Sequence, residues 1–243
     1  NPVYFPGYQE VADAAVTEKF SQAWGLKLSQ TPGLRLDQML DGMHDDSVKA
    51  LFVMGEDPVL SEPNAEHVHV GFKKLDVLIS QDIFLNETAR LYADVVFPAT
   101  CFAEKEGTFT NSERRVQRVR KAVDAPGQAR PDIQILFDLA KQLGHDWGEA
   151  QPSKVWDEFA RLSPQFSGIN YERIEDEGIQ WPCPDISHPG TKILHEGAPI
   201  RGKGKLYPLD HIKPWEEADE EYPLTLSTGR TLYHYNSATQ TLR

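Results

Sequence analysis

Three short apolar runs organise the middle of the chain, at residues 48–54, 75–80 and 94–98. Each is rich in Val, Ile, Leu or Phe and is too short for a buried helix, so each reads as a strand. Residues 63–73 are weakly helical and residues 87–92 form a short periodic segment between the second and third runs. Strand, helix, strand, helix, strand predicts an α/β fold, a parallel sheet with crossover helices. Ligands of such sheets bind outside the carboxyl ends of the strands. Those ends fall at Gly55-Glu56-Asp57-Pro58, at Gln81-Asp82 and at 98–111.

Other periodic segments flank this region. Val11, Ala15, Phe20 and Trp24 carry helical spacing between the turn signals Pro6-Gly7 and Pro32-Gly33, within a segment 1–47 that reads as a surface excursion. Residues 131–143 predict a helix with Pro131 in its first turn, Asp132 near its positive end and Gly144 as its stop. Its apolar stripe is Ile133, Leu136, Phe137 and Ala140. Residues 153–162 predict another, with Ser153 as cap and Trp156, Phe159 and Ala160 inward. The α/β domain thus runs over 48–162. Residues 163–221 are rich in Pro, Gly and charge and read as a linker with a short β-hairpin that includes 202–206. Residues 224–226 read as a strand opening a β-rich C-terminal domain over 222–243.

The densest polar stretch is Glu104-Lys105-Glu106-Gly107-Thr108-Phe109-Thr110-Asn111-Ser112-Glu113-Arg114-Arg115-Val116-Gln117, directly after the third apolar run. No amphipathic period runs through its first half. A solvated turn does not need that density of directed donors and acceptors; a loop wrapping a polyanionic ligand does. The stretch resembles the EKEGTFTNxERRxQ segment of molybdopterin-dependent oxidoreductases. In the same order along the chain, Pro6-Gly7-Tyr8-Gln9, Met54-Gly55-Glu56-Asp57-Pro58, Gln81-Asp82-Ile83-Phe84 with Glu87-Thr88-Ala89, and Tyr222-Pro223-Leu224-Thr225-Leu226-Ser227-Thr228-Gly229-Arg230 resemble further segments of formate dehydrogenase alpha subunits. The resemblance covers nearly the whole chain. It implies a domain arrangement like that of formate dehydrogenase and DMSO reductase.

Composition narrows the picture. Net charge is -12, with 25 basic and 37 acidic residues, which argues against nonspecific binding to nucleic acid. The acids cluster at 41–46 and 216–221, where a solvated surface is the plainer reading. No apolar run approaches the roughly 18 residues of a membrane span. The two cysteines, Cys101 and Cys183, are too few for a disulfide framework or a zinc site. Free thiols fit the cytoplasm, and a removed leader would fit the periplasm instead. The chain lacks an initiator Met and reads as an internal piece of a longer polypeptide.

The resemblance implies a bis-molybdopterin guanine dinucleotide around molybdenum or tungsten. A guanine edge offers two N–H donors and wants a carboxylate; a ribose wants an acceptor; a pyrophosphate wants cations or backbone N–H groups. Asp57 and Asp82, after their strands, are the candidates for guanine or ribose, with Gly55, Glu56, Pro58 and Gln81 shaping the same strand ends. Asp132 matches an aspartate used in this way in the family; its plain alternative is a helix N-terminal acid. Lys105 matches a cofactor-contacting lysine and would meet phosphate or a pterin carbonyl. Arg114 and Arg115 would clamp a phosphate, or simply belong to the basic face that continues through Arg118, Arg120 and Lys121. Gly107 would allow close approach of the ligand. Thr228, Gly229, Arg230 and His234 would meet the pterin. His67 and His69, two apart, would point to opposite sides of a strand, which speaks against a shared metal.

No CxxCxxxC occurs, so the family's 4Fe-4S cluster would be ligated elsewhere in the longer polypeptide, and no cysteine or selenocysteine ligand to the metal is identifiable. The resemblance therefore implies a cofactor-positioning section of a formate dehydrogenase, an oxidoreductase that turns formate into carbon dioxide. These 243 residues are not expected to be active alone. Its partners would be the rest of the polypeptide and an iron–sulfur or NAD/flavin electron-transfer subunit. Two rivals stand: a section of a periplasmic-type nitrate reductase, and a stand-alone nucleotide- or partner-binding module.

Overall fold

The computed structural model describes residues 2–195 and 202–229. The chain divides into two units, Asn1–Leu194 and His195–Arg243. The first opens with β1 (Tyr4–Phe5) and β2 (Gln9–Glu10), paired antiparallel, followed by α1 (Ala14–Trp24) and α2 (Leu36–His44). The Asp13 carboxylate starts α1 by accepting from the N–H groups of Ala15 and Val16, donors that the helix itself leaves unpaired.

The three apolar runs form β3 (Ala50–Met54), β4 (Val77–Asp82) and β5 (Val95–Pro98), a parallel sheet in that spatial order. Between β3 and β4 lie α3 (Pro58–Ser61) and α4 (Ala65–Phe72), and between β4 and β5 lies α5 (Glu87–Tyr92). One core joins Leu78 of β4 to Leu40 and Met43 of α2, Val59 of α3, and Val68 and Phe72 of α4. Gly71 permits this packing: a Cβ there would lie 2.8 Å from the Met43 side chain. The segment 1–47, expected as a surface excursion, thus supplies two residues of the main core. The reason lies in α2, whose apolar side faces the crossover helix α4.

A second sheet follows: β6 (Gly107–Thr110), β7 (Arg115–Val119) and, after α6 (Asp132–Gln142) and α7 (Pro152–Leu162), β8 (Ile179–Gln180). All its pairs are antiparallel. Its core joins Val116 to Phe166, Ile169, Ile174 and Cys183, with Trp156, Phe159, Ile179 and Trp181 packed against them.

Four expectations change. Within 104–117, expected as a loop, residues from Gly107 on form a β-hairpin of β6 and β7. Asn111 Oδ1 accepts from the N–H groups of Glu113 and Arg115, and Arg114 takes a left-handed φ of 66°, which turns the chain back into β7. Ser153 does not cap α7, which starts at Pro152 after Gln151 with no side-chain cap; proline supplies the preset φ. Residues 202–206 and 224–226 carry no strand among the described residues. His67 and His69 lie on α4, not on a strand. His67 stacks on His44 and His69 meets Tyr92. Among the described residues no group of three or more His, Cys, Asp or Glu could hold a metal.

The described part of the second unit, 202–229, has no helix or strand, and its side chains are exposed. Among the described residues no helix is long and apolar enough to cross a membrane.

Leu78 is 1% exposed at the centre of the first core. Leu78→Ala is expected to lower the unfolding free energy by about 2–5 kcal/mol, the cost of lost transfer energy plus a cavity. Urea unfolding of the two proteins measures it.

Candidate functional site

The carboxyl ends of the parallel strands carry a line of side-chain hydrogen bonds. After β3, the Asp57 carboxylate accepts from the N–H groups of Glu87 and Thr88 and from the Thr88 hydroxyl at 2.7 Å. The Thr88 hydroxyl in turn accepts from the Val59 N–H. Asp57 therefore anchors the first turn of α5, where the helix has free donors and positive potential. After β4, Asp82 accepts from the Phe84 N–H at 2.9 Å and from the Asn86 amide at 3.1 Å; the same amide reaches the Glu56 carbonyl. Asn86 also caps α5 through the Ala89 N–H. Gly55 turns the chain after β3 with φ 66°, a conformation that suits glycine, and its N–H donates to the Gln81 carbonyl. A carboxylate offers about four acceptor positions. Asp82 has two in use and Asp57 three.

One step further along, the fully buried Gln81 donates its amide to Asp132 Oδ1 at 2.8 Å. Asp132 opens α6, and its Oδ2 is paired with Lys105. Burial alone would raise the Asp132 carboxyl. The hydrogen bonds from Lys105 and Gln81, together with the Lys105 charge, outweigh it and hold the carboxyl below its usual value. Gln81 Oε1, Ser80 Oγ and Thr100 Oγ1 are buried at these strand ends with no hydrogen-bond partner among the described residues. Uncompensated burial of that kind is costly.

Lys105 and Asp132 form one wall of a cavity of about 360 Å³. Gly107 and Thr108 line it from β6, Val155, Trp156 and Phe159 from α7, and Tyr171 beyond. A Cβ on Gly107 would meet nothing within 4 Å, so the glycine faces open space. Arg118 lies over the Tyr171 ring at 4.3 Å and pairs with Glu106 and with Glu175 at 2.8 Å. Burial pushes the Tyr171 phenol up. The size is that of a small-molecule site, and a largely apolar wall with a few placed charges suits a planar heterocycle.

The structure thus brings Gly55, Glu56, Asp57, Pro58, Gln81 and Asp82 to one sheet edge and joins that edge to Lys105 and Asp132 through Gln81. Asp57 and Asp82 do not line the cavity. Arg114 and Arg115 go to another task. Arg114 donates to the carbonyls of Trp181, Thr191 and Lys192, and Arg115 to that of Gly178. These are carbonyls of the 178–192 segment that carries β8, so both arginines brace it. Thr228 and Gly229 belong to the second unit and are exposed; Arg230 and His234 lie outside the described residues.

Sequence reasoning missed Asn86, Thr88 and Tyr171. Asn86 was legible as a helix cap before 87–92. Trp156 and Phe159 were legible only as an inward helix face. Nothing in the sequence places Tyr171 against β6, since that contact is a matter of tertiary packing.

A family model described as molybdopterin oxidoreductase matches residues 9–142, more than half of the chain. The alpha subunit of an F420-dependent formate dehydrogenase from Methanocaldococcus jannaschii is 44% identical over 246 residues, covering 100% of this chain and 36% of that protein. The alpha subunit of F420-dependent formate dehydrogenase 2 from Methanococcus maripaludis is 47% identical over 249 residues, with the same coverage of 100% and 36%. The chain thus spans about a third of the length of these curated relatives. Among solved structures, acetylene hydratase from Pelobacter acetylenicus is similar over 69% of this chain and 24% of its own, at 20% identity and a TM-score of 0.48.

The lowered Asp132 carboxyl has a consequence for stability. Its ionised form contributes fully above the ordinary aspartate value of about 4, and the contribution is lost as pH falls through the lower folded value. Asp132→Asn removes it at every pH. The variant should therefore be less stable than the parent at neutral pH, and the gap should close as pH drops below about 4. Urea titrations at a series of pH values measure this, and a gap that does not narrow refutes it.

Proposed function

The chain belongs to the molybdopterin oxidoreductase family, and from that premise we propose that it is the cofactor-positioning section of a formate dehydrogenase alpha subunit. The single observation that carries the reading is the hydrogen-bonded line from Gln81 through Asp132 to Lys105, which starts beside Asp82 at the carboxyl edge of a parallel sheet. The open cavity beside it, largely apolar with Lys105 and Asp132 at one wall, suits the planar ring system of such a cofactor.

In this reading the ligand is a molybdopterin guanine dinucleotide. Asp82 keeps acceptor positions for the N–H donors of a guanine edge, and Asp57 keeps one for a ribose hydroxyl. Asp132 and Lys105 hold a polar group at the mouth of the cavity, and Gly107 leaves room beside them. Arg114 and Arg115 act as braces of the 178–192 segment, a better fit to their contacts than a phosphate clamp. By the resemblance alone, Thr228, Gly229, Arg230 and His234 are assigned to the pterin. When bound, the group with its molybdenum or tungsten supplies the two-electron redox chemistry that converts formate to carbon dioxide. The residues of this chain bind and orient; none is offered as a bond-breaking group. A 4Fe-4S cluster elsewhere in the polypeptide and an iron–sulfur or NAD/flavin subunit would be the electron acceptors. Both cysteines are free thiols, which fits a cytoplasmic protein.

Isothermal titration of the cofactor-free full-length protein with GDP and ADP tests the guanine site. GDP is expected to bind in preference to ADP. Asp82→Ala should weaken GDP by about 10- to 100-fold, the worth of one or two hydrogen bonds to a charged group. Equal affinity for both nucleotides, or indifference to the substitution, sinks the assignment.

A further inference from the structure

Five aromatic side chains form an unbroken series from the cavity to the surface. Trp156, on the cavity wall, has its ring centroid 5.1 Å from that of Phe159 and 6.3 Å from that of Phe166. Phe159 and Phe166 are 4.9 Å apart. Phe166 is 5.2 Å from Trp181, and Trp181 is 5.9 Å from Tyr8. Phe166 is buried, whereas Tyr8 is 64% exposed. Hydrophobic packing accounts for the inner members. Burial does not account for Tyr8, which is mostly exposed and takes a left-handed φ of 60°. That conformation belongs to the tight turn between β1 and β2, where Tyr8 follows Gly7 at φ 74°, and the turn leaves the Tyr8 ring against Trp181 and, at 6.3 Å, against Tyr4 while remaining open to water.

Tryptophan and tyrosine are the side chains that give up one electron most readily, and rings in near contact exchange electrons quickly. We propose that Trp156, Trp181 and Tyr8, bridged by Phe166, conduct oxidising equivalents from the cavity to solvent and so protect the site from one-electron oxidants of the reactive-oxygen class. The oxidant gains one electron from Trp156. The Trp156 indole N–H stays bonded to the Ile169 carbonyl at 2.7 Å, which is no base, so the radical cation keeps its proton and is refilled by an electron from Trp181. The Arg114 guanidinium, 5.8 Å from the Trp181 ring, raises the energy of a vacancy there, which slows its arrival from Trp156 and favours its passage to Tyr8, where loss of the phenolic proton makes the final step downhill. Tyr8 supplies the electron to Trp181 and releases its phenolic proton to water, leaving a neutral phenoxyl. A solvent thiol returns a hydrogen atom to Tyr8 and becomes a thiyl radical. The net reaction is oxidant plus thiol giving reduced oxidant, a proton and a thiyl radical.

The inference does not depend on the guanine site, and its test needs no cofactor. A ruthenium polypyridyl complex is attached to the full-length protein at Val155→Cys, a cavity-lining position, and oxidised by flash quenching. Nitroso spin-trap adducts are located by peptide mass spectrometry. The expected adduct lies on Tyr8. Trp181→Phe, which keeps a ring in the core, should reduce the Tyr8 adduct to the level of unlabelled protein and leave oxidation products on Trp156. Tyr8→Phe, at an exposed position, should leave oxidation on Trp181. A Tyr8 adduct unaffected by Trp181→Phe overturns the proposal, and so does oxidation confined to Trp156 in the parent protein.

Discussion

The arrangement around the sheet edge depends on one buried side chain, Gln81. It is the last-but-one residue of β4, fully buried, with an amide that must be paired. Leaving a buried polar group unmade costs about 1–3 kcal/mol. Its partner, Asp132, is a carboxylate at the start of α6, where the helix also favours negative charge. That carboxylate is in turn matched by Lys105, just before β6. One hydrogen-bonded chain therefore ties the parallel sheet, a helix 51 residues on and the stem of the hairpin. Moving any one of the three leaves a charge or an amide unpaired, so the relative placement of these elements is set electrostatically as well as by packing.

The other polar residues of the edge divide into those that build and those left with capacity. Asp57 and Asn86 stabilise the first turn of α5, a helix of only six residues that would be marginal alone. Asp82 is held by a local turn and by Asn86, which leaves it oriented but not saturated. A carboxylate that is oriented but not saturated is preorganised for a further donor. Arg114 shows the opposite outcome. A planar donor fork with three carbonyl partners organises the segment that carries β8. The second core, centred on Val116 and Phe166, depends on that segment staying in place.

Much of this was legible in the chain. The three apolar runs, their spacing and the helical segments between them specify a parallel α/β sheet. The helix over 132–142 and the short one at 87–92 follow from caps and apolar spacing. The motif order alone identifies the family. Asp57 and Asp82 could be named as acids at the ends of β3 and β4 without any coordinates.

Other features were settled only by tertiary packing. The stretch 104–117 lacks a regular burial period because β6 is partly exposed along its length, so its strand character emerges only against β7. The part played by Arg114 required the carbonyls of a segment far along the chain. The cavity required α7 to lie across β6. Sequence determines what each residue can offer locally: a cap, an apolar face, an acceptor. Which distant group accepts that offer depends on contacts between segments that no local pattern encodes, and here those contacts decide whether a polar side chain braces the fold or is left for a ligand.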